Sequence, residues 1–348
     1  MKRLIVCCDG TWQKLANPYP TNVVKIAQAI KPIASDGTHQ VLYYSEGVGT
    51  GDEKDRIFGG AFGKGLDENI QDAYRFLCLN YVEGDEIYFF GFSRGSYTVR
   101  SIAGLIYNSG LLARYHIRKA LEAYKLYTSR GSKPNEQEAV EFRQTYGERV
   151  PITLLACWDT VGALGIPDLN PFLKFDERIN NKYRFHDTQL NRTIKNALHA
   201  VAIDEQRKVF NVTPMKKSPN ADNQVLRQVW FPGGHGCVGG GSQQDSKFSD
   251  AALKWMIDSV GELGLGLELD VSKINPTIDY DYLYDFYFAP VTIRSKITQL
   301  AGVIHREIND EFEDLHESVI HRWQKRSDYR PKNLEKFLEK LESYVKSL

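Results

Sequence analysis

Tyr88-Phe89-Phe90-Gly91-Phe92-Ser93-Arg94-Gly95 is the stretch that decides the fold. An apolar, β-rich run from Ile87 to Phe92 enters Gly-x-Ser-x-Gly. The chain leaves it with Val99, Ile102, Ala103 and Ile106 at spacings of three, four and seven. That spacing is one face of a helix. A strand turning sharply into a helix holds the serine in a strained backbone and presents its Oγ at the sheet edge. Gly91 and Gly95 fit this turn because side chains there would strike the neighbouring strand and helix. The helix start aims N–H groups and the positive end of its dipole at Ser93. The five-residue pattern alone is weak, and a serine–glycine turn in an ordinary βα unit is the plain alternative. The strand before it and the helix after it give it weight.

Outward from this turn, strand and helix patterns alternate. Arg3 to Cys8 and Gln40 to Tyr44 read as strands, as do Pro151 to Trp158 and Val225 to Phe231. Asn22 to Ile30 and Leu66 to Tyr81 read as helices, as does the stretch carrying Leu253, Met256, Ile257 and Val260. Arg114 to Tyr146 is charged and helical, and residues 166 to 195 are polar, aromatic and loop-like. Thr193 to Val201 reads as a short helix, and a final amphipathic helix starts at Pro331. Such alternation predicts an α/β fold, hydrolase-like, with a mostly parallel central sheet and helices on both faces. A helical and aromatic C-terminal extension is added to it. One domain over 1–348 is expected, its core over about 1–265 and its C-terminal elements over about 266–348.

The charge balance excludes some classes. Lys plus Arg and Asp plus Glu each total 44, so no basic footprint marks a nucleic-acid binder. No apolar stretch approaches the ~20 residues of a membrane span. Met1-Lys2-Arg3 precedes an apolar run that Asp9 ends, too short for a secretory signal and better read as the first strand. Cys7, Cys8, Cys78, Cys157 and Cys237 form no metal or redox spacing, and read as buried reduced thiols. Neither a metal nor an organic cofactor is called for. These features fit a cytoplasmic protein; export by a dedicated secretion system stays open.

An activated serine needs a base within hydrogen-bond reach and an acid to orient it. In open α/β sheets such groups sit at the carboxyl ends of strands. Trp158-Asp159-Thr160 and Phe231-Pro232-Gly233-Gly234-His235 both end predicted strands. The order Ser93, Asp159, His235 is that of the α/β-hydrolase serine turn. Of eight histidines, only His235 follows a strand and lies among glycines that permit close approach. Oxyanion donors are expected from the Arg94 amide and from Gly10 or Thr11, which end the first strand. Asp9 reads as a brace for that loop, or less simply as the acid itself.

The glycines over 47–65 fit neither phosphate-loop pattern and read as a loop beside the site. Tyr280, Tyr282, Tyr284, Phe286 and Phe288 alternate at period two, as a half-buried strand would. Tyr284 and Phe286 are the candidates for an acyl-chain wall.

These residues together resemble a known family. Cys8-Asp9-Gly10-Thr11-Trp12, Gly47-Val48-Gly49-Thr50, Gly91-Phe92-Ser93-Arg94-Gly95 and Trp158-Asp159-Thr160-Val161-Gly162 carry the likeness, with Trp230 to His235 and Val238 to Gly241. Ala202 to Arg207, His316 to Val319 and Tyr329 to Pro331 extend it. The set is similar to the uncharacterised α/β-hydrolase domain family whose best-known members are type VI secretion phospholipase effectors. The resemblance implies Ser93 as nucleophile, Asp159 as acid and His235 as base. It also implies an ester or lipid substrate and transient contact with a membrane surface, and it names no protein partner. The chain departs from the family at Cys237, where relatives carry an aspartate that would orient the loop. It shows no counterpart of the effectors' long membrane-anchoring region, so a housekeeping hydrolase is as open as a toxin.

The expectation is therefore a serine esterase or lipase, phospholipase-like, working through an acyl-enzyme. The alternatives are a non-catalytic module binding lipid or protein on a hydrolase scaffold, and an acyltransferase.

Overall fold

Lys2–Cys8 forms strand β1, and its side chains alternate between two apolar layers. Leu4, Val6 and Cys8 face one layer, Ile5 and Cys7 the other, and all five are buried. A strand covered on both faces belongs in a parallel sheet between helices. In the computed structural model, which describes residues 1–49, 59–129, 133–162, 189–219, 221–274, 276–278 and 304–346, that is where it lies. The run holding Tyr284 and Phe286 falls outside the described residues.

The later strands are β2 (His39–Ser45), β3 (Glu86–Phe92), β4 (Leu111–Leu112), β5 (Gly147–Glu148), β6 (Ile152–Trp158), β7 (Ile194–Ala202) and β8 (Val225–Phe231). Six of them form one sheet in the order β2-β1-β3-β6-β7-β8, parallel throughout; β4 and β5 pair separately. From β1 the chain steps outward to β2, then returns past β1 to β3 and continues the other way. The carboxyl ends of β1 and β3 therefore flank the point where strand order reverses, the place where such sheets open a crevice.

One face carries α2 (Gly59–Asn80), α3 (Arg94–Ser109), α4 (Ala120–Thr128) and α5 (Gln137–Tyr146), over a core that includes Phe89, Ile102 and Leu155. The other carries α1 (Asn22–Ala29), the short α6 (His235–Gly239) and α7 (Gln243–Glu262), over Phe90, Trp158 and Met256. Thr21 caps α1 and Ser242 caps α7, each side chain accepting an N–H of the first turn. Fully burying an apolar side chain of Leu or Phe size stabilises by ~1.5–3 kcal/mol. A third cluster joins Val201 and Trp230 to Phe312, Leu315, Val319 and Trp323 of the C-terminal region, which so packs on the β7–β8 side. There α8 (Glu317–Lys325) and α9 (Leu338–Lys346) close the chain. Among the described residues no helix is long and apolar enough to cross a membrane.

Three local expectations change. Thr193 to Val201, read as a helix, is strand β7. Ile194, Ala197, Leu198 and Val201 fit a helical spacing, but both faces of this strand are covered, so its apolar residues run together. The charged stretch 114–146 breaks into a 3₁₀ turn (Arg114–Lys119), α4 and α5. The second glycine cluster, read as loop, lies within α2, whose periodic face at Leu66, Ile70, Ala73 and Leu77 carries the helix back through it.

Candidate active site

The turn after β3 is held from three sides. Ser93 sits at φ 60° and ψ −120°, and its N–H donates to the Trp158 carbonyl at 3.0 Å. Ser96 Oγ donates to the Gly91 carbonyl at 2.7 Å, tying helix to strand. A Cβ on Gly91 would lie 2.6 Å from the Gly95 carbonyl oxygen, and one on Gly95 only 2.0 Å from that of Cys8. The two glycines let α3 press against β3 and β1. Positive φ is costly for a side-chain-bearing residue and persists where the surroundings enforce it. Among the described residues Trp12, Ser93 and Asp159 are those that adopt it, and all three lie at the carboxyl edge of the sheet.

Asp159 follows β6, and its N–H donates to the Ala200 carbonyl at 2.8 Å. Its carboxylate is fully buried and surrounded by donors. Oδ1 accepts from Ala202 N–H at 3.0 Å and from Arg306 Nη1 at 2.6 Å. Oδ2 accepts from Arg306 Nη2 at 2.9 Å and pairs with His235 Nδ1 at 2.6 Å. Burial alone would raise the proton affinity of this carboxyl. The Arg306 charge and the His235 hydrogen bond more than offset it and hold Asp159 well below the usual carboxylate range.

His235 opens α6 after β8. Its Nε2 lies 2.8 Å from Ser93 Oγ, so hydroxyl, imidazole and carboxylate form one continuous chain. The ring stacks against Phe92 and Phe210, with centroids 4.8 Å and 4.7 Å away. Burial lowers the His235 pKa, against the opposing pull of Asp159. A neutral ring with Nδ1–H turned to Asp159 leaves Nε2 free to accept the serine proton.

The β1 end lies beside this chain. A Cβ on Gly10 would come within 3.2 Å of Ser93 Cβ, so the Asp9–Thr11 turn abuts the serine. The Asp9 carboxylate accepts from Gly10 N–H at 2.7 Å, Thr21 Oγ at 2.7 Å and Tyr44 OH at 3.0 Å. Burial lifts its pKa to about 6. It does not contact His235, whose carboxylate partner is Asp159. The Gly10 amide is already engaged by Asp9. Arg94 starts α3, and its buried guanidinium lies 5.5 Å from the centre of the Phe210 ring.

Several residues around the site were assigned no role from the sequence. Glu205 Oε2 accepts the His235 N–H at 3.0 Å, while Arg207 forks onto the same carboxylate at 2.7 and 2.6 Å. Their motif, Ala202 to Arg207, stood among the family likenesses and was the signal for them. His199 is buried within β7. It accepts from Thr160 N–H at 3.1 Å and meets Gln228 Oε1 at 2.9 Å. Burial drives its pKa down to about 3, so it is a neutral strut. Arg306 and Phe210 carry no local signal at all. At Cys237, the thiol lies 3.7 Å from Asp245 Oδ1, so a carboxylate borders the His235 loop from α7 instead. Among the described residues no three His, Cys, Asp or Glu side chains gather as metal ligands would.

Comparison with known proteins follows the same lines. Residues 2–259 match the family described as "T6SS, Phospholipase effector Tle1-like, catalytic domain". An uncharacterized protein of Saccharomyces cerevisiae is 29% identical over 244 residues, 63% of this chain and 34% of that protein. The crystal structure of an uncharacterized protein from Pseudomonas aeruginosa superposes with a TM-score of 0.50 at 15% identity, covering 99% of this chain and 53% of that one. This last likeness is one of fold. The chain spans about a third of the yeast relative and about half of the Pseudomonas chain. With a parallel sheet ending in a strand–serine–helix turn, and a match over most of its length, the chain belongs to the Tle1-like phospholipase effector family of type VI secretion, through that family's catalytic domain.

Proposed function

We propose that the chain is a serine hydrolase of lipid esters, with Ser93 as nucleophile, His235 as general base and Asp159 as the acid that orients it. One observation carries the reading: the unbroken hydrogen-bonded chain from Ser93 Oγ through His235 to Asp159, at 2.8 and 2.6 Å. His235 Nε2 takes the hydroxyl proton as Oγ attacks the ester carbonyl carbon, and Asp159 stabilises the imidazolium. Two N–H groups, from Arg94 and Thr11, are the oxyanion donors we assign, since Gly10 N–H is held by Asp9. Losing one such donor typically costs ~10²–10³ in kcat. The imidazolium then protonates the leaving alcohol, and Ser93 is left acylated. Water, deprotonated by His235, releases the acid and restores the serine.

The family is named for phospholipase effectors, and we carry that to the substrate: an acyl ester of a phospholipid, reached by transient contact with a lipid surface. The test is labelling by a fluorophosphonate probe together with fatty-acid release from phospholipid vesicles. Both occur in the wild type and vanish in a folded Ser93→Ala variant. A folded wild type that never takes the label points instead to a non-catalytic lipid- or protein-binding module. Acyl product formed on an added alcohol in preference to free acid points to acyl transfer.

A further inference from the structure

We propose that Arg306 is a positioning residue of this site: its guanidinium clamps both oxygens of Asp159 and, by balancing that charge, sets how tightly the Asp159–His235 pair holds its proton. The proposal rests on the reading of Ser93, His235 and Asp159 given above. Nη1 donates to Asp159 Oδ1 at 2.6 Å and to the Ala202 carbonyl at 2.7 Å. Nη2 donates to Asp159 Oδ2 at 2.9 Å and to the Phe210 carbonyl. Neither side chain of this ion pair is exposed. A buried carboxylate without a counter-charge is strongly unfavourable, and removing one partner of a buried pair leaves that charge uncompensated. The fork suits Arg better than Lys, since the planar guanidinium presents two parallel N–H groups to the two oxygens.

Arg306 lies beyond the 2–259 family match, in the C-terminal region. Four residues on, Asp310 accepts from Trp230 Nε1 at 2.6 Å and from Gln228 Nε2 at 3.0 Å. Gln228 meets His199, and His199 accepts from Thr160 N–H. One segment thus grips Asp159 directly and its neighbour Thr160 by relay. The other charged groups facing the pair are Glu205, Arg207 and Asp245, with His199 neutral behind Asp159. Glu205 and Arg207 are forked on one another. Among the described residues Arg306 is the arginine or lysine that contacts the Asp159 carboxylate.

A bare Asp159 charge would favour a proton on the pair, so the base would fill with protons at higher pH. The experiment compares wild type, Arg306→Gln and Arg306→Lys as full chains. It follows hydrolysis of a short p-nitrophenyl ester from pH 5 to 9, with circular dichroism for folding and a fluorophosphonate label for competent serine. Arg306→Gln is expected to move the acid limb to higher pH, so that its kcat/KM at pH 6 relative to pH 8 drops about tenfold below the wild-type ratio. Arg306→Lys keeps the charge and the acid limb, but loses about tenfold in kcat at unchanged KM as Asp159 gains freedom. Folded variants with the wild-type acid limb and kcat overturn the proposal. If the Gln variant fails to fold, the Lys variant decides alone, and wild-type kcat in it overturns the proposal. Wild-type labelling separates the two ideas. An unlabelled wild type removes the serine-hydrolase reading itself, whereas a labelled wild type with unaltered variants removes only the role of Arg306.

Discussion

Phe210 and His235 lie with ring centroids 4.7 Å apart and planes 28° from parallel, and Phe92 stacks on the same imidazole. Arg207 and Arg94 sit over Phe210, at 4.2 and 5.5 Å. The 3₁₀ turn Lys208–Phe210 thus covers His235, and burial of that ring is what lowers its pKa.

Removing that cover should move the pH profile. The neutral imidazole is the active form, so activity falls as pH drops through the His235 pKa. Hydrating the ring raises that pKa, and Phe210→Ala should therefore lose activity at a higher pH than wild type. A kcat/KM profile on a short ester from pH 5 to 9 reads this. An acid limb displaced to lower pH would contradict it.

Strain at the serine should be measurable as stability. Ser93 holds φ 60° and ψ −120°, a region glycine enters freely. Ser93→Gly should raise stability by ~1 kcal/mol and the thermal midpoint by ~1–3 °C, while kcat falls by ~10⁵–10⁶. Differential scanning calorimetry beside ester turnover checks both halves. A lower midpoint in the glycine variant would show that the turn is not strained.

Two glycines should respond very differently to one methyl group. On Gly95 it would fall 2.0 Å from the Cys8 carbonyl oxygen, where backbone must move; Gly84, at φ +89°, has open space. Gly95→Ala should cost well over ~3 kcal/mol or prevent soluble expression, and Gly84→Ala only ~1–2 kcal/mol. Chemical denaturation of both variants is the measurement, and comparable losses would refute the packing argument.

Asp9 predicts a pH dependence of folding. Its pKa is raised in the folded state to about 6, from an ordinary 3.8. The folded chain then binds the extra proton, so the stabilisation is complete below about pH 4 and is lost as pH rises through about 6. Wild type should lose more thermal stability than Asp9→Asn between pH 4.5 and pH 7.5. Parallel melting curves for the two proteins over that range would be the contrary result.

The strand–serine–helix turn was legible because its signals are local. An unbroken apolar run gives way to a 3.6-residue spacing within a few residues, and the two glycines mark where backbones touch. His235 could be chosen among eight histidines for the same reason, since it follows a strand and sits among glycines. Asp159 was legible as the end of a strand, but that it, and not Asp9, lies against the His235 ring was visible only in the hydrogen bonds. Strand β7 misled because a strand buried on both faces loses the alternation that would mark it. Glu205 lay within a motif that was seen, though its bond to the His235 amide was not.

What the chain's amino acids determined by themselves was the α/β layering, the strained serine turn and the strand ends that present Asp159 and His235. All of these follow from the short-range geometry of strands, helices and glycine. Only the tertiary structure decided that Arg306 holds Asp159 across 147 positions of sequence, that Phe210 covers His235, and that Asp9 occupies the Gly10 amide. The first two are pairings between separate segments, and the third is a choice of side-chain direction that the surrounding fold makes. A buried charge must find its partner wherever the chain brings one, and no local pattern records which arginine that will be.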